Sequence, residues 1–141
     1  MQIIQLPDET LMITEVLHEV RRVYTDGSPM PDDPDPAFSG YSVGRWDGDA
    51  FVIDTVAIKA NTLDRNGVPN SDQLTIKERL RLRDAQTLEV QMTLTDPEAY
   101  TKPWTITRVH RRAPAGRKFY EYICNENNRN QVLPDGTTAA E

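Results

Sequence analysis

Glu78 is the side chain in this sequence best placed to do chemistry. It stands in Leu74-Thr75-Ile76-Lys77-Glu78-Arg79-Leu80-Arg81-Leu82-Arg83, where Leu74, Ile76, Leu80 and Leu82 fall on every second position. That period belongs to a strand with one dry face and one wet face, and Glu78 occupies a dry position. A carboxylate there must be paired, hydrogen-bonded or kept neutral, which is also what a general acid or base requires. Arg108 is the expected partner, because alternation over 104–111 puts Trp104, Ile106, Arg108 and His110 on one face. Two readings of the pair stand side by side. It is either a buried ion pair that serves architecture alone, or an acid–base group beside an arginine that stabilises developing negative charge.

His18 and Asp54 extend the candidate catalytic set. His18 shares a face with Val16 and Val20, and imidazole titrates near neutrality. The plain alternative is a satisfied core histidine. Asp54 lies between Val52 and Val56 and faces inward on that register, although Phe51, Ile53 and Ala57 make an equally good dry face. Tyr120, Tyr122 and Glu126 share one face of a strand expected over 118–125. With Tyr41, Trp46 and Trp104 they form the candidate substrate-binding set, core packing being the competing role for the aromatics. Cys124 has no basic neighbour in sequence to activate it. Ser42 and Ser71 lack an elbow motif. Two histidines without ligand spacing predict no metal, and the absence of a glycine-rich phosphate loop leaves no cofactor implied.

These residues need strands to position them. The central hairpin continues from Arg83 through Asp84-Ala85-Gln86 into Leu88, Val90, Met92 and Leu94, again on alternate positions. Asp47-Gly48-Asp49 marks a second hairpin between 41–46 and 51–58, and Ala113-Pro114-Ala115-Gly116 a third between 104–111 and 118–125. Residues 2–6 read as a brief strand, and 11–24 as a bent strand or two, with a helix as the competitor. Pro31, Pro34 and Pro36 confine their segment to a surface loop, since proline lacks the ladder donor. Residues 59–72 have no periodicity and are read either as a lid or binding loop, or as a plain crossover at the barrel rim. The count is eight to nine antiparallel strands in an all-β meander closing into a small lipocalin-like (calycin-like) barrel, over 1–129 as a single domain. Residues 130–141 are polar and predicted to be a disordered tail.

Composition bounds the function classes. The chain has 141 residues, enough for a core without disulfides, and its formal net charge of -6 argues against a nucleic-acid partner. The basic run Lys77, Arg79, Arg81, Arg83 is expected to be the wet face of its strand, opposite Glu89 and Gln91. No apolar run approaches membrane-spanning length, the start is no signal peptide, and a single cysteine fits a reducing compartment. A cytoplasmic monomer or homodimer is the resulting expectation.

Four ordered strings carry a resemblance: residues 18–27 (HEVRRVYTDG), 41–49 (YSVGRWDGD), 96–104 (DPEAYTKPW) and 120–128 (YEYICNENN). Over about 15–128 the chain resembles a group of bacterial proteins to which no activity is attached. Many of them start further upstream with export signals, which the resemblance sets against the cytoplasmic address. It implies that the strings form one unit, and nothing about a reaction.

The function expected from the residues is a cofactor-independent acid–base enzyme acting on a small, partly apolar molecule in the barrel cavity. Isomerisation, elimination, cyclisation or epoxide opening would suit Glu78, His18, Asp54 and Arg108. The alternatives are a carrier or sensor of a hydrophobic ligand and a barrel simply filled by side chains.

Overall fold

The computed structural model describes residues 1–16, 19–63 and 66–120, and no α-helix occurs among them. Eight strands build one curled sheet in sequence order: β1 (Gln2–Gln5), β2 (Glu9–Ile13), β3 (Val20–Tyr24), β4 (Tyr41–Asp47), β5 (Ala50–Val56), β8 (Thr75–Asp84), β9 (Thr87–Thr95) and β10 (Trp104–Arg111). Between β5 and β8 the chain makes a separate two-stranded ribbon, β6 (Asn61–Thr62) with β7 (Pro69–Asn70). The sheet ends at β1 and β10, which are not paired with each other among the described residues, and its shape is a half-barrel.

Neighbouring strands are antiparallel with one exception. β3 and β4 run parallel and touch in register only at Tyr24 and Val43. This corrects the expected uniform meander. The connection over 25–40 carries Pro29, Pro31, Pro34 and Pro36, so it cannot fold back as a tight hairpin. It crosses to the far end of the sheet instead, where Ala37 bridges Ile58 and its N–H donates to the Ala57 carbonyl at 3.0 Å. Of the expected third hairpin, β10 forms. Residues 118–120 are not strand, and 121–125 lie outside the described residues.

The alternation that predicts the strands also fills the concave side. Met12, Val23, Phe51, Ile53, Leu80 and Val90 form one buried cluster, and Ile58, Leu74 and Leu94 a second. Each such side chain is worth about 1.5–3 kcal/mol when fully buried. β4 approaches this core unusually closely at Gly44, where a Cβ would stand 2.6 Å from Phe51 Cζ and 2.7 Å from Val23 Cγ1. On the convex side Val52 is buried too, lying in register between Arg45 and Arg79. Those arginines reach acidic partners at Asp54 and Asp47 on the same face. The basic run on β8 is exposed, with Arg83 paired to Glu89 at 2.6 Å and Arg79 opposite Gln91. Leu82, expected on the dry face, is exposed. Pairing of β8 with β5 stops at Arg81, so the β8–β9 tip projects past β5, while β10 stays paired with β9 to Thr87. No helix among the described residues is long and apolar enough to cross a membrane.

Candidate functional site

Glu78 points to the concave side and is 3 % exposed. In register it lies between Ile53 on β5 and Met92 on β9, at the junction of the two apolar clusters. Its partner is Arg21 from β3, whose Nη2 donates to Glu78 Oε2. The same nitrogen donates to Thr55 Oγ1 at 2.7 Å, and Arg21 Nε donates to Ser42 Oγ at 3.1 Å. The two hydroxyls are themselves 3.0 Å apart, closing a ring of hydrogen bonds across β3, β4, β5 and β8. Ser42 and Thr55 are both buried, so the arginine is held by groups that have no bulk water to replace it.

This network forms part of the wall of a cavity of about 370 Å³ in the hollow of the half-barrel, within the range of small-molecule sites. Met12, Ile58, Leu63, Ile76, Val90 and Met92 give it apolar walls. Its charged side chains are balanced, with Glu19 and Glu78 against Arg21 and Arg108, and His110, Thr14, Ser39 and Thr55 are the other polar residues of the lining. Phe38 stands at the rim, 73 % exposed, with the Lys59 ammonium 5.4 Å from its ring centroid. Ser39 Oγ beside it donates to Glu19 Oε1.

The sequence-derived candidates take up clearly different places in the fold. Glu78 and Arg108 both line the cavity, but the expected Glu78–Arg108 pair is replaced by Glu78–Arg21, since Arg108 is exposed on the last strand of the sheet. Asp54 is turned the other way. It lies on the convex face, where Arg45 reaches it at 2.6 Å and Lys77 at 3.4 Å, because Phe51, Ile53 and Thr55 take the inward positions of β5. Trp46 is 61 % exposed and tilts against Phe51 with ring centroids 5.3 Å apart, away from the cavity lining. Trp104 packs with the second apolar cluster and meets Tyr100 edge-on at 5.8 Å, also away from the lining. Tyr41 stacks on Tyr24 at 4.9 Å on the convex side, beside a shallow cleft that also touches Phe38. Tyr120 is exposed, its backbone N–H donating to Glu15 Oε1 at 2.9 Å. His18, Tyr122, Cys124 and Glu126 lie outside the described residues.

Sequence reasoning did not single out Arg21, Ser42, Thr55 or Glu19. The signal for Arg21 was its place two residues before Val23, the most deeply buried residue of β3. Alternation from Val23 puts Arg21 inward and Val20 and Tyr24 outward.

The described parts of the segment between β5 and β8, residues 57–63 and 66–74, are held by hydrogen bonds. Asn70 Nδ2 donates to the Lys59 and Ser71 carbonyls at 3.1 and 3.0 Å. Asp96, buried after β9, accepts from Ser71 N and Oγ at 2.7 Å each and from the N–H groups of Glu98 and Ala99. Burial pushes the Asp96 carboxyl up, but those donors together outweigh it and leave the group below the ordinary aspartate value. The loop is thereby fastened to the sheet, and it sends Leu63 into the cavity wall. No group of three or more potential metal ligands gathers among the described residues. No protein-family model, curated protein or solved structure matches this chain.

Proposed function

We propose that this protein binds a small, partly apolar molecule in the hollow of the half-barrel, with the Arg21–Glu78 pair meeting its polar group. One observation carries the reading. A carboxylate buried to 3 % exposure and its arginine partner stand at the wall of an open, mostly apolar cavity instead of being sealed inside packed side chains. Buried ion pairs seldom add stability over apolar residues of the same shape, so one that fronts a cavity is better explained by recognition. Nile red fluorescence tests this. The wild-type protein should enhance it, and Met92→Trp, which fills the cavity, should abolish the enhancement while keeping the fold by circular dichroism. Equal enhancement by both proteins would refute a concave-side site.

The closed, lipocalin-like barrel belongs to the same proposal. Its support is the course of the chain after β10, which brings Arg117 to 3.8 Å from Glu15 and the Tyr120 N–H to the same carboxylate, just beyond β2. A second reading, acid–base catalysis on the bound molecule, is favoured by His110 and Arg108 lining the same cavity as Glu78. Isomerisation, elimination, cyclisation and epoxide opening remain the reaction types such a set can serve. Glu78→Gln would then keep binding and lose turnover.

A further inference from the structure

The ring of hydrogen bonds around Arg21 leaves two polar atoms of the Arg21–Glu78 pair unused among the described residues. Arg21 uses Nε and Nη2, and Glu78 uses Oε2. Among the described residues no bond is made by Arg21 Nη1 or by Glu78 Oε1, and both side chains line the cavity. A guanidinium nitrogen can only donate and a carboxylate oxygen, when ionised, can only accept. We propose that the ligand carries an uncharged head group with a hydrogen-bond acceptor and a donor side by side, as in a carboxamide or lactam, on an apolar body. This inference rests on the reading of the cavity as a ligand site.

Charge decides against ionic heads. The pair itself is neutral, and the charged side chains of the wider lining balance as well, with Glu19 and Glu78 offset by Arg21 and Arg108. A carboxylate ligand would accept from Nη1 but bring a second negative charge against Glu78, leaving Oε1 without a proton to accept. An ammonium would satisfy Oε1 and repel Arg21. An amide meets both atoms at once, its carbonyl on Nη1 and its N–H on Oε1, and adds no net charge to a low-dielectric wall. Hydrogen bonds to charged groups contribute about 1.5–3 kcal/mol each, so a head that makes only one should bind roughly tenfold or more weaker. The walls formed by Met12, Ile76, Val90 and Met92 take the hydrocarbon part without demanding further polar contacts.

Four probes with one tail test the head group: octanamide, octanoate, octylammonium and octanol, titrated by calorimetry or by displacement of Nile red. The expected order places octanamide first, at least about tenfold tighter than octanoate and octylammonium, with octanol between. The double variant Arg21→Met/Glu78→Leu replaces the pair by apolar groups of similar length. It should lose the preference for octanamide over octanol. Octanoate or octylammonium binding tightest would overturn the head-group inference and leave the cavity reading standing. Retention of the amide preference in the double variant would overturn it as well, moving head recognition to Arg108 or His110. Failure of all four probes, and of Nile red, to bind the wild-type protein would instead sink the cavity reading itself.

Discussion

Removing Arg21 alone should damage the protein more than removing the whole Arg21–Glu78 pair. Arg21→Met takes away the only cation bonded to Glu78 among the described residues, while the carboxylate stays on the concave side at 3 % exposure. Leaving one member of a buried pair costs about 3–5 kcal/mol. Glu78→Gln is milder. The arginine keeps Thr55 and Ser42 as acceptors and its side chain is 19 % exposed, so turning one charge-assisted bond into a neutral one costs about 1–1.5 kcal/mol. The double variant Arg21→Met/Glu78→Leu removes both charges together and should lie within about 2 kcal/mol of the wild type, or above it. The expected coupling energy is therefore large and of the sign that marks a direct partnership. Urea unfolding of the wild type, Arg21→Met, Glu78→Leu and the double variant, with an unchanged m-value as the check on two-state behaviour, measures all four corners of the cycle, Glu78→Gln standing beside it as the isosteric comparison. Arg108→Met is the control and should cost under about 1 kcal/mol, because Arg108 is exposed. An Arg21→Met loss below about 1 kcal/mol, or simple addition of the two single effects, would refute the account of a desolvated pair.

Gly44→Ala should destabilise by about 1–3 kcal/mol in urea unfolding, because the new methyl meets the buried side chains of Phe51 and Val23, which must shift to admit it. Asp54→Asn should cost under about 1 kcal/mol, as expected of a partly exposed convex-face pair, and should leave Nile red binding unchanged; loss of binding would mean that Asp54 faces the cavity after all. Asp96 holds its proton less tightly when folded than when unfolded, so its contribution is complete above the ordinary aspartate value of about 3.9 and disappears as the pH falls through the lower folded value. Asp96→Asn should lower the melting temperature at neutral pH and flatten the acid arm of its pH dependence; an acid arm as steep as the wild type's would assign that dependence to other carboxylates.

Much of this architecture was legible one residue at a time, because the two-residue period of a strand is a property of its own backbone. Leu74, Ile76, Leu80, Val90 and Leu94 announced β8 and β9, and the break in their pattern placed Glu78 on the inward side before any neighbour was known. The turn at Asp47-Gly48-Asp49 similarly declared the β4–β5 hairpin, with Gly48 at a φ of 61° that suits glycine. Where both faces of a strand are apolar, the period is silent. β5 carries Phe51 and Ile53 on one side and Val52 and Val56 on the other, so the direction of Asp54 could not be read from it.

Local alternation is enough to make this chain a set of strands and to send one carboxylate to the dry side. Which cation meets that carboxylate is settled by the curl of the sheet. Partnership across a curved sheet depends on which distant strands the curl brings face to face. Here the parallel passage from β3 to β4 and the inward turn of Arg21 put that residue beside Glu78, leaving Arg108 on the exposed edge strand of the same hollow.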